Sequence, residues 1–382
     1  MEYVENRQHV IEVTDAFCDR NITEERVVQW IRSGGVPRAV YEDFYDSELG
    51  SYCLPPNLGG RDCPFSERAL VVERLMRRAG ATLPVLSDMI AMALLSTMRF
   101  ASQQEIVEDF LSRSGRVSFS QAFSEEGAGS NPADVCTSVS REGEEILLNG
   151  EKTFVSNGQF ASDTLVLTRD PLFGGVDGGL SLWLVPLSSP GISTFPLSAL
   201  GQEMLSPAII QFSQVPLNPD WRIQSEGKLS FMLKRQYELG RVLVCASSLG
   251  LARAAMDDAL ERAATHQVKG RRLGSLPQIQ EKLTDMEVAL RSMEALVYGA
   301  AHDVYLDRQK THLSCALMKR FVPKAATEVA SEALQIMGGV GYTDAERVGR
   351  IWRDCRGNQI AQGTDEVMVG PAAKQLMAER GL

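Results

Sequence analysis

The fold is decided by the segment Ile146–Gly158, which reads ILLNGEKTFVSNG. Two short runs of β-prone residues flank Asn149-Gly150, and Asn-Gly between such runs is the strongest short-range signal for a β-hairpin. The spacing therefore predicts two strands that turn at this dipeptide. On the second strand, Phe154 and Ser156 are two residues apart, so their side chains are predicted to share one face.

The chain around this segment keeps a strand-like character from about Val117 to Ile223. Thr164–Thr168 and Leu180–Val185 are short β-rich runs, and turn-forming residues such as Ser189-Pro190-Gly191 bound them. Roughly a hundred residues of short strands and turns predict a small barrel or sandwich. This middle β-domain is predicted to cover residues 116–225.

Helical periodicity precedes the strands. In Phe65–Ala79 an apolar stripe runs beside charged residues, which predicts an amphipathic helix. Met89–Met98 is apolar on nearly every face, which predicts a buried helix. Residues 1–115 are therefore predicted to form an N-terminal all-helical domain.

Helical periodicity returns after about Lys228. Apolar residues between Ile279 and Val304 are spaced alternately four and three apart, a seam that packs helices nearly parallel or antiparallel. Pro323 predicts a kink or a helix start. Residues 226–382 are predicted to form a C-terminal helical bundle, so the fold class is a multi-domain α and β protein with a helical domain, a β-barrel or sandwich and a bundle in that order.

The composition excludes several classes of protein. The 382 residues include 39 Lys and Arg against 49 Asp and Glu, which gives a net charge of −10. A negatively charged protein is not expected to bind a nucleic acid or an anionic membrane over an extended surface. The N-terminus lacks the pattern of a signal peptide, and the longest uncharged stretches are too short to span a bilayer. Seven scattered cysteines without a CxxC pair predict a cytoplasmic protein with reduced thiols and no metal site.

Three segments carry residue types that suit ligand binding. Ala122–Ser130 is rich in glycine and serine, which supply backbone N–H groups and hydroxyls for a polar ring or a phosphate. Phe154–Gly158 combines an aromatic ring with a hydroxyl. Gln335–Tyr342 is glycine-rich and is followed by Trp352-Arg353-Asp354 and by Gln362–Glu366. Each segment alone is a weak signal of ligand binding. The interpretation rests on the order and spacing of the three segments along the chain.

Together these segments resemble the acyl-CoA dehydrogenase family, from about Pro55 to the C-terminus. Ile336–Gly341 and Trp352-Arg353-Asp354 are also similar to the crotonobetainyl-CoA reductases. The resemblance implies a C-terminal four-helix bundle, a non-covalent FAD and an acyl-CoA substrate in fatty-acid or carnitine-type metabolism. It further implies an electron-transferring flavoprotein as partner and a homo-oligomer, a dimer or tetramer, in which subunits share the FAD site.

The resemblance also implies roles for individual residues. Those that match flavin-binding positions are Ser124, Phe154, Ser156, His266, Gln335, Gly338, Gly339 and Thr364. Those that match substrate-binding positions are Ser130, Tyr237, Glu238 and Arg241. His266 begins a segment with Lys269, Arg271 and Arg272, whose cations suit a pyrophosphate, although a solvated basic turn remains open for the two arginines.

The residue that matches the family's catalytic glutamate is Gln362, and the alternative base position on a helix is Gly240. A glutamine amide does not accept a proton near neutral pH, and a positioned general base contributes about 10²–10⁴ in rate. Glu238 is about 200° around a helix from Gly240 and should face away. Glu366 lies one helical turn beyond Gln362 and is the substitute base to test, although Thr364-Asp365-Glu366 also resembles a capped helix start.

Three functions remain open at this point. The first is an FAD-dependent oxidoreductase that dehydrogenates an acyl-CoA, or reduces an enoyl-CoA, at the Cα–Cβ bond. The second is an acyl-CoA lyase that expels a sulfinate or carboxylate and needs no base at Cα. The third is a non-catalytic, flavin-bearing subunit of a larger assembly.

Overall fold

The computed structural model describes residues 2–54, 56, 59–95, 119–172, 179–223, 229–306 and 308–381. The first part of the chain forms the helices α1 (Glu2–Asn21), α2 (Glu24–Ser33), α3 (Arg38–Asp46), α4 (Glu48–Cys53), α5 (Phe65–Ala79) and α6 (Val85–Leu95). The predicted helix Phe65–Ala79 is confirmed, and it ends where Gly80 adopts a left-handed conformation. The predicted buried helix is confirmed up to Leu95, and the remainder of its range, through Met98, lies outside the described residues.

The middle of the chain forms one eight-stranded sheet with the order β6-β7-β3-β2-β4-β5-β8, and β1 pairs in parallel with β4. The strands are β1 (Phe119–Ala122), β2 (Ser138–Glu142), β3 (Glu145–Val155), β4 (Asp163–Arg169), β5 (Leu180–Pro186), β6 (Ile192–Pro196), β7 (Ala208–Leu217) and β8 (Arg222–Ile223). This β-domain lies between two helical parts, as the sequence predicts.

The predicted hairpin turn at Asn149-Gly150 is wrong. Both residues lie inside the continuous strand β3, and the hairpin with β2 turns at Gly143 and Glu144 instead, because Glu142 pairs with Glu145. The pairing of β3 with β7 shifts its register between Leu148 and Gly150. A Cβ atom on Gly150 would lie 2.6 Å from Thr137 Cα, so glycine is needed here for the close approach of a neighbouring strand rather than for a turn.

Alternate residues of β4 enter two different cores. Leu165 and Leu167 pack in a cluster that includes residues of α6, whereas Val166 packs in a cluster with Trp183 of β5 and Phe212 of β7. Strands from both ends of the sheet therefore contribute to the second cluster, which requires the sheet to curl. The first cluster fixes the sheet against the helices.

The last part of the chain forms α7 (Leu229–Thr265), α8 (Pro277–Leu306), α9 (Arg308–Met337), α10 (Val348–Ile360) and α11 (Val369–Ala378). The predicted apolar seam of α8 is confirmed, since its buried residues include Met286, Leu290, Met293, Val297, Ala300 and Val304. Pro323 lies inside α9, so no helix starts there.

The longest helix, α7, passes through the core. It is long and apolar enough to span a membrane, but 89% of its apolar stretch is buried within the protein. Core packing therefore accounts for its composition. A short hairpin, β9 (Gln267–Val268) and β10 (Arg271–Arg272), connects α7 to α8, and Lys269 and Gly270 at its turn both have positive φ.

Candidate functional site

The two predicted base positions come together in the structure. Gln362 follows α10, has a φ of +57° and precedes Gly363, which has a φ of +100°. A Cβ atom on Gly240 of α7 would lie 2.9 Å from Gln362 Oε1 and 3.3 Å from Cγ2 of Ile90 in α6. The Gln362 side chain therefore occupies the space above Gly240, between α6 and α7.

Two buried cations hold the turn that carries Gln362. Arg241 Nε donates to the Gln362 carbonyl oxygen at 3.1 Å. Lys319 Nζ donates to the carbonyl oxygens of Gln359 at 3.2 Å and Gly363 at 2.9 Å. Burial lowers the pKa of both Arg241 and Lys319. These bonds fix the backbone and leave the Gln362 side-chain amide available for a ligand.

The Gln362 amide oxygen is buried and has no hydrogen-bond partner within the described part of the chain. Glu366, the candidate substitute base, is exposed, and its hydrogen bond with Thr364 lowers the pKa of its carboxyl. Thr364 Oγ1 also accepts from Val367 N at 3.4 Å. The structure favours a turn-forming role for Glu366 and Thr364, and it places an amide rather than a carboxylate above Gly240.

The substrate-binding candidates of α7 point in two directions. The Arg241 guanidinium carbon lies 5.7 Å from the centroid of the half-buried Tyr237 ring. Glu238 faces α9, where His312 Nδ1 lies 3.4 Å from its Oε1. Since Gly240 faces α6 and Gln362 instead, Glu238 is on another side of the helix from the base position, as its angular separation predicts.

A buried ion pair shapes the glycine-rich loop before β2. Lys152 of β3 is fully buried, and its Nζ donates to Glu125 Oε1 at 2.8 Å and to the Phe123 carbonyl oxygen at 3.0 Å. Glu125 also accepts from the backbone N–H groups of Cys136 and Thr137. Burial lowers the pKa of Lys152 to about 8. Burial alone would raise the pKa of Glu125, but the Lys152, Cys136 and Thr137 donors lower it.

The loop and the end of β3 bring three flavin-binding candidates close together. Thr153 N donates to the Ser124 carbonyl oxygen at 2.9 Å, and Phe154 and Ser156 follow in the chain. Phe154 is 68% exposed and has a φ of +56°. Phe154 and Ser156 were predicted to share one face because side chains alternate along a strand. The left-handed conformation of Phe154 interrupts that alternation. Ser130 is exposed at the other end of the loop.

We expect Phe154→Gly to separate ligand binding from stability. Glycine adopts positive φ without the Cβ penalty, so the free energy of unfolding should stay level or rise by up to about 1 kcal/mol. The loss of an aromatic face should raise the dissociation constant for FAD about tenfold or more. Denaturant unfolding and flavin titration measure the two effects, and Phe154→Tyr is the control that keeps the ring. Unchanged FAD affinity in Phe154→Gly contradicts a flavin contact.

The remaining flavin-binding candidates lie at the ends of the C-terminal helices. Gln335, Gly338 and Gly339 are exposed where α9 ends. His266 is half-buried immediately after α7, and its carbonyl oxygen accepts from Leu273 N at 2.8 Å. These groups are separated along the helices from the base position at Gly240.

Sequence reasoning missed the buried polar contacts that support the site. Asp88 of α6 is fully buried; its Oδ1 accepts from Phe119 N at 2.8 Å and its Oδ2 from the Tyr45 hydroxyl at 3.3 Å. Burial raises the pKa of Asp88 to about 8. Because both oxygens are engaged, this carboxyl fixes the start of β1 to α6. Asp88 lies within an apolar run, and that contrast is the available signal for it. Lys152 and Lys319 each adjoin another charged residue, Glu151 and Arg320, so their sequence neighbours do not mark them as buried.

The residues at the end of β3 fit a flavin ring. An exposed aromatic side chain on a left-handed residue is an unusual surface feature, and a flat ring lying against Phe154 accounts for it. Ser124 and Ser156 are both half-buried beside it, and hydroxyls and backbone N–H groups suit the polar edge of an isoalloxazine. Ser124, Phe154 and Ser156 would therefore hold the ring of FAD.

The chain is similar along most of its length to known proteins. Profiles of the N-terminal, middle and C-terminal domains of acyl-CoA dehydrogenase match residues 5–113, 120–215 and 231–377. The probable acyl-CoA dehydrogenase YdiO of Escherichia coli K12 is 30% identical over 361 residues, which cover 94% of this chain and 93% of the relative. The crystal structure of an acyl-CoA dehydrogenase from Slackia heliotrinireducens is 37% identical, with a TM-score of 0.86 over 98% of this chain and 97% of that chain.

Butyryl-CoA dehydrogenase from Megasphaera elsdenii is 23% identical and has the same fold, with a TM-score of 0.88 over 97% of this chain and 98% of that chain. All three domain profiles occur in the order in which the helices, the sheet and the second set of helices occur here. The chain belongs to the acyl-CoA dehydrogenase family.

Proposed function

We propose that this protein is an FAD-dependent oxidoreductase that acts on the Cα–Cβ bond of an acyl-CoA thioester, with Gln362 in place of the family's glutamate base. The observation that carries the proposal is the Gln362 amide, whose buried oxygen lies above Gly240 without a partner in the described residues. The oxidoreductase class and FAD follow from the family. Which reaction this site catalyses depends on the Gln362 side-chain amide, since it replaces the glutamate base.

The protein's own residues supply binding and orientation. FAD, when bound, provides the two-electron chemistry at the reacting carbons. Ser124 and Ser156 would donate to the polar edge of the ring, and Phe154 would lie against it. Tyr237, Arg241 and Ser130 bind the CoA arm, and Arg241 also fixes the Gln362 backbone. The Gln362 amide orients the acyl group by a hydrogen bond and holds no proton that moves near neutral pH.

This arrangement also supports a second reaction. Dehydrogenation requires an acceptor for the α-proton and enoyl-CoA reduction requires a donor, and an amide supplies neither. Loss of a sulfinate or carboxylate group as SO2 or CO2 leaves the electron pair of the broken bond on carbon, where water supplies the proton. No α-proton is removed, so a lyase-type activity is the alternative. A flavin-bearing subunit without catalysis is the third outcome that the experiment below distinguishes.

We further propose a cytoplasmic homo-oligomer, a dimer or tetramer, that exchanges electrons with an electron-transferring flavoprotein. The exposed positions of Gln335, Gly338 and Gly339 and the half-buried position of His266 support the oligomer, because accessible flavin-binding residues at helix ends suit a site completed by another subunit. Exchange of electrons with a separate flavoprotein accords with a flavin ring bound against the exposed Phe154.

Anaerobic bleaching of the flavin tests the proposed function. The purified protein should be yellow. Saturated straight-chain acyl-CoA thioesters should reduce its flavin far more slowly than they reduce the flavin of a dehydrogenase that has the glutamate base. Thioesters with a sulfinate or carboxylate leaving group give faster turnover if the lyase alternative holds. Protein that stays flavin-free after purification with added FAD contradicts every flavin-dependent function, and ordinary dehydrogenase rates contradict the role assigned to Gln362.

A further inference from the structure

We propose that the acyl pocket recognises a neutral polar group on the acyl chain, a hydroxyl or a primary carboxamide, through the glutamine pair Gln121 and Gln236. This proposal rests on the proposed function, because it concerns the substrate of the same site. Gln121 and Gln236 would be the residues that determine specificity. The substrates would be acyl-CoA thioesters with a polar acyl chain, which a pocket lined only by apolar side chains does not favour.

Gln236 lies on the face of α7 that carries the base position. It is four residues before Gly240, so the two share one face of the helix. Gln236 is 0% exposed, although glutamine is seldom fully buried without all its hydrogen bonds made. Four residues correspond to about 6 Å along a helix, so this buried amide lies about one turn from Gly240, above which the Gln362 side chain lies.

Gln121 approaches this face from the sheet. Phe119, two residues earlier in β1, packs in the cluster that includes residues of α6 and α7, whereas Ala122 packs on the opposite side of the sheet. Alternation along the strand therefore directs Gln121 toward the helices. The next residues form the glycine-rich loop with Ser124, so the pair lies between the flavin-binding loop and the Gly240 face.

Within the described parts of the chain, the pair makes one hydrogen bond between its own two side chains, and two of its atoms have no partner. Gln236 Nε2 donates to Gln121 Oε1 at 3.1 Å. Gln121 Nε2 and Gln236 Oε1 are both buried and have no partner among the described residues. If both amides are turned over, the pair still presents one N–H donor and one carbonyl acceptor. The unmet hydrogen bonding therefore does not depend on how the amides are assigned.

One free donor beside one free acceptor defines the ligand group. A hydroxyl or a carboxamide both accepts and donates, so it satisfies the two atoms together. A carboxylate only accepts and would leave Gln236 Oε1 facing negative charge, and a hydrocarbon leaves both atoms unpaired. Gln362 Oε1 is a further buried acceptor, and it lies above Gly240 on the face of α7 that carries Gln236, which again favours a group that donates.

Calorimetric titration of the flavin-loaded protein tests this proposal. The probes are butanoyl-, hexanoyl- and octanoyl-CoA, each with its terminal hydroxyl, carboxamide and carboxylate derivative. At one chain length at least, the hydroxyl or carboxamide compound should bind about tenfold or more tightly than the unsubstituted one. The carboxylate derivative should show no such gain.

The double variant Gln121→Met/Gln236→Met should abolish this preference. It replaces both amides with apolar side chains of similar length, so flavin content and melting temperature should be retained. Gln278→Met, at an exposed glutamine of α8, is the matched control and should keep the preference. A KM or Kd that changes only for the polar probes distinguishes recognition from a structural role.

Several results overturn the proposal. Equal affinity for polar and unsubstituted probes at every length overturns it and leaves the proposed function intact. A preference that survives in the double variant, or tightest binding of the carboxylates, also overturns it. If the pair only holds a buried water, the double variant loses thermal stability and the wild type shows no preference. Failure of every CoA thioester to bind flavin-loaded protein overturns the proposed function as well.

Discussion

Gln362→Glu is expected to raise the rate of flavin reduction by a saturated acyl-CoA about 10²–10⁴-fold, because it supplies the missing general base. The new carboxylate would replace an amide that already lies above Gly240, between α6 and α7. Arg241 and Lys319 hold the backbone of the turn through its carbonyl oxygens. The substitution changes no backbone contact, so the geometry should survive.

Anaerobic stopped-flow measurement of flavin absorbance checks this result. Gln362→Met is the matched control, since it has a similar length and no group that accepts a proton. A rate in Gln362→Glu no higher than in Gln362→Met means that the carboxylate is not placed to reach Cα. The other explanation of that result is that proton removal does not limit flavin reduction, and either explanation contradicts the prediction.

The shared volume above Gly240 allows a second check of the same prediction. In Gly240→Glu alone, the new Cβ would lie 2.9 Å from Gln362 Oε1, so the flexible Gln362 side chain has to move and competes with the new carboxylate for the same volume. Gly240→Glu combined with Gln362→Gly removes that clash, and glycine suits the left-handed backbone at position 362. The double variant should therefore regain a base from α7 and reduce its flavin faster than either single variant.

Lys152→Met should give the largest loss of stability, about 3 kcal/mol or more in the free energy of unfolding. It removes the cation from a buried ion pair and leaves the Glu125 carboxylate without its charged partner. Because the pair shapes the loop with Ser124, the variant should also lose bound FAD. Denaturant unfolding and the flavin-to-protein absorbance ratio measure the two effects.

Two further variants show whether the buried pair is responsible. Lys152→Met/Glu125→Gln removes both charges and should recover part of the lost stability, which a double-mutant cycle quantifies. Arg291→Met breaks an exposed ion pair between Arg291 and Glu287 of α8 and should change stability by no more than about 0.5 kcal/mol. If Lys152→Met is as mild as Arg291→Met, the loop does not depend on Lys152.

Local sequence patterns were sufficient to predict much of the fold. Together with the family resemblance, they also identified the two base positions that lie side by side in the structure. The stripe of Phe65–Ala79 and the seam of α8 depend on helical periodicity, which a sequence displays directly. The two base positions that the resemblance assigns, Gln362 and Gly240, lie side by side in the structure, next to Ile90 of α6. These predictions required only spacing and the family resemblance.

Tertiary contacts account for what the sequence did not reveal. Asn149-Gly150 has the composition of a turn, but the approach of Thr137 makes Gly150 part of a continuous strand. Lys152 is recognisable only with its partner Glu125, and Gln236 only with Gln121 from another domain segment. Polar pairs that form between distant segments leave no periodic signal in either one.

The length of α7 has a consequence for two variants of this protein that are expressed together in one cell. Gly240 lies near the start of this 37-residue helix and His266 immediately after its end, so at 1.5 Å per residue about 39 Å separates them. In the proposed oligomer, one FAD would not reach across this distance, so the His266 hairpin and the Gly240 pocket of one chain would serve different flavins. Two inactive variants, one at Phe154 and one at His266, should then complement each other when co-expressed. Each mixed dimer would contain one site built entirely from intact parts.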